Sequence, residues 1–192
     1  MFDNFYNYLS ANFSLTEAEF ELVKQVSIIK RLRRKQYLLQ EGDIWHYNAF
    51  VSKGLLRTYR VDEKGIEHII QFSSENWWTG DRQSYHSEEP ARYNIDAFEN
   101  SEVILISKED FPKLLQQLPA LDSFMKELME RSFIALQNRV HSNITFTAEE
   151  KYADFVKTHP AMLNRVPQHM IASFLGITPE TLSRVRNQAL RK

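Results

Sequence analysis

The chain has 192 residues, a formal net charge of −1, and 43% hydrophobic and 26% charged residues. This composition is typical of a folded globular protein of one ordinary domain or two small ones. The sequence contains no cysteine, which excludes disulfides, cysteine-ligated zinc, iron–sulfur clusters and thiol catalysis. It also shows no signal peptide and no apolar run long enough to span a membrane, so we expect a cytoplasmic protein.

The charges divide unevenly along the chain. Residues 1–147 contain 17 lysines and arginines against 21 acidic residues, a balance of −4. Residues 148–192 contain 7 basic and 4 acidic residues, a balance of +3. A basic C-terminal region on a mildly acidic body suggests a contact with phosphate groups. A further basic run at 30–35 is interpreted as a solvated face.

Two overlapping capping boxes at 14–19 predict a first helix. From residue 36 to about 107 the sequence is dominated by β-forming residues and turns. Short segments rich in β-formers occur at 37–39, 49–51, 55–61, 66–72 and 103–106. Turn signals separate them at 41–43, 52–54 and 62–65. Many short strands at such spacing predict a sandwich, a barrel or a jelly roll.

A helical pattern returns after Pro119. Apolar residues recur every three or four positions and form one stripe: Leu121, Met125, Met129, Phe133, Leu136, Val140 and Ile144. A helix of this length extends past any single small core, so we favour a dimerisation helix at 119–146. Packing of the stripe against the β-rich body is the alternative.

A second set of helix signals follows a predicted helix at 148–158. Pro167 suits the start of one helix, and Gly176 suits its left-handed end. Thr178 is a natural N-cap for the next helix, and Pro179 is a natural first residue. This layout predicts a helix-turn-helix, with an ordinary helical hairpin as the alternative.

The polar side chains of the second helix are of the types that read DNA. Arginine donates two hydrogen bonds to guanine, glutamate accepts one from cytosine, and serine or threonine serves a base or a phosphate. The N-terminal part of a recognition helix is the part that reaches base edges. We therefore predict a DNA-binding set made of Thr178, Glu180, Thr181, Ser183, Arg184 and Asn187.

The order of a β-rich body, a long helix and a helix-turn-helix resembles the Crp/Fnr family of bacterial transcription regulators. Residues 171–184, Ile-Ala-Ser-Phe-Leu-Gly-Ile-Thr-Pro-Glu-Thr-Leu-Ser-Arg, are similar to that family's helix-turn-helix pattern. On this match Glu180, Ser183 and Arg184 are the base readers. The body is similar to the family's cyclic-nucleotide-binding β-roll in its glycine-bearing turns, at 41–43, 53–57 and 62–65.

The resemblance implies an α+β fold of three parts. Residues 1–118 are expected to form a sensor domain, a double-stranded β-helix (jelly roll) like a cyclic-nucleotide-binding domain. Residues 119–146 form the long dimerisation helix, and residues 147–192 form a small all-α helix-turn-helix domain. The family's domain usually continues into a β-hairpin wing, whereas this sequence ends near the second helix. We therefore expect a truncated domain with weaker DNA affinity, and phosphate contacts from Arg191 and Lys192.

The nucleotide cassette departs from the family's pattern. Members that bind a cyclic nucleotide hold its ribose with a Gly-Glu pair and its phosphate with an Arg-Ser pair further along. This chain has Gly80 and Asp81, and Ala91 stands at the arginine position. Arg92 and Tyr93 follow one place late. The tentative ligand residues are Gly80, Asp81, Arg92 and Tyr93, and these departures disfavour a cyclic nucleotide as cofactor against another small-molecule effector or none.

Two other functions fit parts of the sequence. A cupin-like metal enzyme needs closely spaced histidines, and the six histidines here include no His-x-His pair. A β-roll sensor or protein-interaction module without sequence-specific DNA binding fits the missing wing. The favoured prediction is a homodimeric transcription regulator of palindromic double-stranded DNA, with RNA polymerase as a candidate partner. It has no predicted catalytic residue, metal ligand or membrane contact.

Overall fold

The computed structural model describes residues 2–189. Within them the helices are α1 (Asp3–Asn12), α2 (Glu17–Gln25), α3 (Arg82–Ser87), α4 (Asp110–Gln117), α5 (Pro119–Thr145), α6 (Ala148–Thr158), α7 (Gln168–Leu175) and α8 (Pro179–Ala189). The strands are β1 (Ser27–Leu32), β2 (Tyr37–Leu39), β3 (Tyr47–Lys53), β4 (Leu56–Val61), β5 (Glu67–Ser73), β6 (Trp78–Thr79), β7 (Asn94–Ala97) and β8 (Ser101–Ser107). A short 3-10 helix covers Pro160–Met162.

The strands form two four-stranded sheets with the orders β1-β8-β3-β6 and β2-β7-β4-β5. Most neighbours within a sheet are distant along the chain. Strand β8, for instance, lies between β1 and β3 and pairs antiparallel with both. Such crossovers are typical of a jelly roll. Together with the helices they confirm the predicted α+β fold with an N-terminal β-roll.

Strand β8 shows how the β-roll is packed on two faces. Val103 and Leu105 belong to one apolar cluster, whereas Ile104 and Ile106 belong to another. Because successive side chains of a strand lie on opposite faces, one strand contributes to two cores. The uninterrupted apolar run of β8 is therefore the sequence signal of a strand that is buried on both faces.

The two clusters differ in the elements that form them. The first joins one sheet to helices α1, α2, α4 and α5, and its buried members are Phe5, Leu9, Phe20, Val23, Phe50, Ile104, Ile106, Phe111, Leu114, Leu118, Leu121 and Phe124. The second joins both sheets, and its buried members are Leu32, Leu38, Leu39, Trp45, Ala49, Val51, Leu56, Ala91, Ile95, Ala97, Val103 and Leu105. Only the first turns of α5 contribute to these cores.

Two helices begin with the reciprocal hydrogen bonds of a capping box. At α2 the Thr16 hydroxyl accepts from the Glu19 backbone N–H, and the Glu19 carboxylate accepts from the Thr16 backbone N–H at 2.8 Å. At α6, Thr147 and Glu150 repeat the arrangement. The backbone N–H of each threonine, followed by its hydroxyl, lowers the pKa of the glutamate by hydrogen bonding to the charged form.

The chain divides into two compact units. One unit contains the residues up to Val61 together with Ile70–Leu128, and the other contains Asp62–Ile69 and the chain from Met129 onward. One boundary therefore falls inside α5, and the hairpin between β4 and β5 is grouped with the C-terminal helices. This division differs from the predicted limits of 1–118, 119–146 and 147–192, which stay a prediction.

Candidate nucleic-acid interface

The turn between α7 and α8 is built by glycine at the end of the first helix. Gly176 has φ +65°, and its backbone N–H donates to the carbonyls of Ala172 and Ser173. A residue with a side chain rarely adopts this left-handed conformation, so glycine lets the chain leave α7 and turn at once. Pro167, predicted as the first helical residue of α7, instead stands at its N-cap.

Thr178 starts α8 as predicted. Its hydroxyl accepts a hydrogen bond from the Thr181 backbone N–H at 3.2 Å and lies 3.1 Å from the Thr181 hydroxyl. Pro179 then occupies the first helical position, where a missing N–H costs nothing. Both threonines of the predicted DNA-binding set are thus engaged in starting the helix, and Thr181 is half-buried.

The buried faces of these helices form a small core of their own. Its buried side chains are Phe155, Met162, Val166, Ile171, Ala172, Leu175, Leu182 and Val185. Ala172 is fully buried among them. Arg191 and Lys192, the predicted phosphate contacts, lie outside the described residues. This core fixes which side of α8 faces away from the fold.

The opposite side of α8 presents polar side chains to solvent. Glu180, Ser183, Arg184 and Asn187 are all exposed, and their i, i+3, i+4, i+7 spacing places them on one face. Together with Pro179 and Gln188 they line one open concave surface. Gln188 is absent from the predicted set, although the next step of the same spacing, i+8, would have found it.

Helix α7 is held on its other side by neighbours in the same unit. The Ser173 hydroxyl accepts from the Ile69 backbone N–H at 3.0 Å and donates to the Glu67 carbonyl at 3.3 Å. The hydroxyl thus joins the hairpin between β4 and β5 to α7. At the next position, the Phe174 ring lies under the Arg139 guanidinium of α5, 4.3 Å from its centre. These contacts position the helix-turn-helix from two directions.

His159 lies beside Phe174, at the end of α6. Its ring stacks on Phe155 with centroids 5.2 Å apart and meets Phe174 edge to face. Burial is the main cause that lowers the pKa of His159, Arg139 lowers it further, and Asp154 opposes the shift. The histidine is therefore more weakly basic than a free imidazole and packs as a neutral ring at pH 7.

Most of α5 carries apolar side chains in the open. Phe133 is 61% exposed, Leu136 57% and Ile144 78%, and Met129 and Val140 are exposed on the same stripe. An uncovered apolar stripe of this length is unusual for a single chain. The stripe runs in the spacing of a helix that packs against another helix.

Within the part of the chain that the structure describes, no helix has the length and apolar character needed to cross a bilayer. Among the same residues, histidine, aspartate and glutamate side chains nowhere cluster in a way that could hold a metal ion.

Comparison with known proteins finds a matching domain and several relatives. Residues 29–118 match the model of the cyclic nucleotide-binding domain. The transcriptional activator protein Anr of Pseudomonas aeruginosa is 26% identical over 186 residues, covering 90% of this chain and 75% of the relative. The fumarate and nitrate reduction regulatory protein of Vibrio cholerae is 25% identical over 185 residues, covering 90% and 73%. The chain is a homologue of the Crp/Fnr regulators.

The solved structure of FixK2 from Bradyrhizobium japonicum shares this fold. It superposes with a TM-score of 0.70 at 18% identity, covering 85% of this chain and 84% of that one. The solved structure confirms the fold, and the matched domain and the relatives confirm the Crp/Fnr resemblance predicted from the order of the elements.

The four tentative ligand residues of this Crp/Fnr homologue do not form one open site. Asp81 is 5% exposed; its carboxylate accepts from the backbone N–H groups of Ser84 and Arg92 and so caps α3. Arg92 is exposed, and Tyr93 is half-buried. Gly80 lies against the indole of Trp45. These residues do not fit a cyclic nucleotide, because the carboxylate is already bonded and Ala91 stands where the phosphate needs an arginine.

Proposed function

We propose that this Crp/Fnr-type, DNA-binding transcription regulator acts as a homodimer whose two α8 helices enter the major groove of a palindromic site. The exposed polar face of α8, with Glu180, Ser183, Arg184 and Asn187 on one concave surface, is the observation that carries the proposal. The relatives it matches are named as regulatory proteins, and their names support the same reading.

Each side chain on this face has a role in base recognition. Arg184 donates to guanine O6 and N7, and Glu180 accepts from cytosine N4. Asn187, one turn further, is suited to adenine, and Ser183 bonds to a base or a phosphate. Thr178 and Thr181 do not read bases in this proposal. They hold the start of the helix and so orient Glu180 and Arg184.

The exposed stripe of α5 supplies the dimer contact in this proposal. Two copies of Phe133, Leu136, Val140 and their neighbours bury one another across a two-fold axis. A two-fold dimer presents two recognition helices to half-sites about 34 Å apart, one turn of DNA. The preferred site should therefore be a palindrome whose half-sites share this spacing.

A regulator of transcription works on the chromosome, so we place the protein in the cytoplasm. RNA polymerase is a candidate partner in this proposal. The relatives are named as regulators and not as enzymes, and we assign no catalytic residue.

The test is a selection of random DNA fragments by the purified full chain, read by sequencing. The proposal expects a palindromic motif that Arg184→Ala loses and that Arg186→Ala keeps. Arg186 is the matched control, because it removes one arginine from the same helix at a half-buried position away from the concave surface. A motif that survives Arg184→Ala would overturn the assignment of α8. No enrichment at any salt would favour a sensor or protein-interaction module instead.

A further inference from the structure

The cassette between β6 and β7, residues 80–93, is fastened to the β-roll by its own polar groups. The buried Ser84 hydroxyl accepts from the Trp45 backbone N–H at 2.9 Å and donates to the Glu89 carbonyl at 2.6 Å. The Tyr85 hydroxyl accepts from the Asn48 side chain at 2.8 Å. Each bond joins the cassette to itself, to Trp45 just before β3, or to Asn48 within β3. The protein's own groups therefore close the cassette.

The Trp45 side chain fills the space in front of the cassette's glycine. It is 4% exposed and belongs to the apolar cluster shared by both sheets. A Cβ placed on Gly80 would overlap the indole nitrogen and lie 3.1 Å from its Cε2 atom. Glycine is thus required at position 80 by the protein's own tryptophan as well as by its φ of +146°.

The backbone donors at the other end of the cassette are also occupied. The Ala91 N–H donates to the Asp43 carbonyl at 2.8 Å, and the Ala91 carbonyl accepts from Gly42 at 2.9 Å. The Arg92 N–H donates to Asp81 at 3.2 Å. A phosphate placed here would meet no free N–H from these two residues, and the alanine side chain at position 91 offers it no charge. It would instead approach the Asp81 carboxylate, which repels it.

We propose that the β-roll of this chain is self-filled: Trp45 and Asp81 occupy and close the cassette, and DNA binding requires no cyclic nucleotide. The inference rests on the proposed function only for its second part, because the closed cassette is a property of the β-roll alone.

The first experiment titrates the full chain with cyclic AMP and cyclic GMP, up to millimolar concentration, in calorimetry and in DNA binding. The proposal expects no heat of binding and less than a twofold change in DNA affinity for either nucleotide. Saturable nucleotide binding would overturn it, even if the chain then bound DNA. Absence of DNA binding under every condition would defeat the proposed function instead, and the calorimetry would still decide whether the cassette is closed.

The second experiment replaces the indole. Trp45→Ala should lower the melting midpoint by about 10 °C, because it leaves a large cavity in a closed core. Free indole, added at millimolar concentration, should raise the midpoint of this variant by several degrees and leave the parent unchanged.

Trp77→Ala is the matched control, because Trp77 lies in the same β-roll and is 43% exposed. It should show neither the large destabilisation nor the rescue. If Trp45→Ala does not fold, Trp45→Phe should fold with a smaller loss of stability and a smaller response to indole. Equal midpoints for the parent and Trp45→Ala would contradict the filling role of Trp45. Rescue of Trp77→Ala by indole to the same extent as Trp45→Ala would contradict it as well.

Discussion

The cassette of the β-roll and the recognition helix use similar side chains in opposite ways. Each region contains a helix with a polar N-cap, which is Asp81 for α3 and Thr178 for α8. In the cassette the acid is buried and bonded twice within the protein, whereas Glu180 and Arg184 of α8 are exposed. Since a buried polar group must be satisfied internally, the cassette keeps its shape, and the groups on α8 are left for a partner.

The largest effect is expected at the recognition helix. Arg184→Ala should weaken specific DNA binding on the order of 1,000-fold, because each dimer loses two bidentate contacts worth ~1–3 kcal/mol each. Non-specific binding at low salt should change far less. Fluorescence anisotropy with a selected palindrome and a scrambled duplex measures both. Equal losses on the two duplexes would show that Arg184 does not read bases.

A charge on the apolar stripe of α5 should have the next largest effect. Leu136→Glu should weaken dimerisation on the order of 100-fold, since two leucines that the proposed dimer buries are replaced by two carboxylates. Asn138→Glu is the control, because position 138 lies on the opposite side of the helix. Sedimentation velocity over a concentration series measures the dimer, and a dimer unaffected by Leu136→Glu would place the interface elsewhere.

A third change tests whether Asp81 is structural. Asp81→Ala should lower the free energy of unfolding by about 2 kcal/mol, because it removes a helix cap and leaves two N–H groups without their acceptor. Glu89→Ala, at an exposed acid of the same cassette, should change it little. Urea denaturation compares the two, and unaltered stability in Asp81→Ala would reopen the cassette to a ligand role.

The smallest effect is a pH dependence of stability at His159. Its pKa is lowered in the folded state, so the unfolded chain binds a proton more readily. The contribution of His159 to stability should be fully present above pH ~6.5, the ordinary pKa of histidine. It should be lost as the pH falls from there through the folded-state pKa. His159→Phe keeps the stack on Phe155 without a titrating group.

Melting midpoints at pH 8 and pH 5.5 measure this effect, and the loss should be smaller in His159→Phe than in the parent. The lowered pKa values of Glu19 and Glu150 act only below about pH 4.5 and so lie outside this window. An identical pH response in parent and variant would show that other groups cause it.

Local signals explain which elements the sequence predicts. Gly176, Thr178 and Pro179 mark the end of one helix and the start of the next within four residues. In α5 the apolar residues recur at helical spacing within one continuous segment. Strand β1 is missed because Lys30 and Arg31 interrupt its apolar pattern, so the run at 30–35 is read as a solvated face alone. Helix α1 buries only Phe5 and Leu9, which is too short a pattern to identify by itself.

The site in the β-roll could not be predicted because its contacts join distant positions. Trp45 meets Gly80 and Ser84, more than thirty residues further along the chain. Asp81 bonds to the backbone of Arg92, eleven residues away. A motif comparison shows that the cassette departs from its pattern, but only the fold shows what fills the space that remains.

The uncovered stripe of α5 has a consequence for control. If the operator accepts only the paired form, occupancy rises with the square of the chain's abundance while the dimer is scarce. Doubling synthesis would then raise promoter occupancy almost fourfold, and modest dilution during growth would silence it. For a β-roll that admits no messenger, the rate at which the chain is made and degraded becomes the signal that the promoter reads.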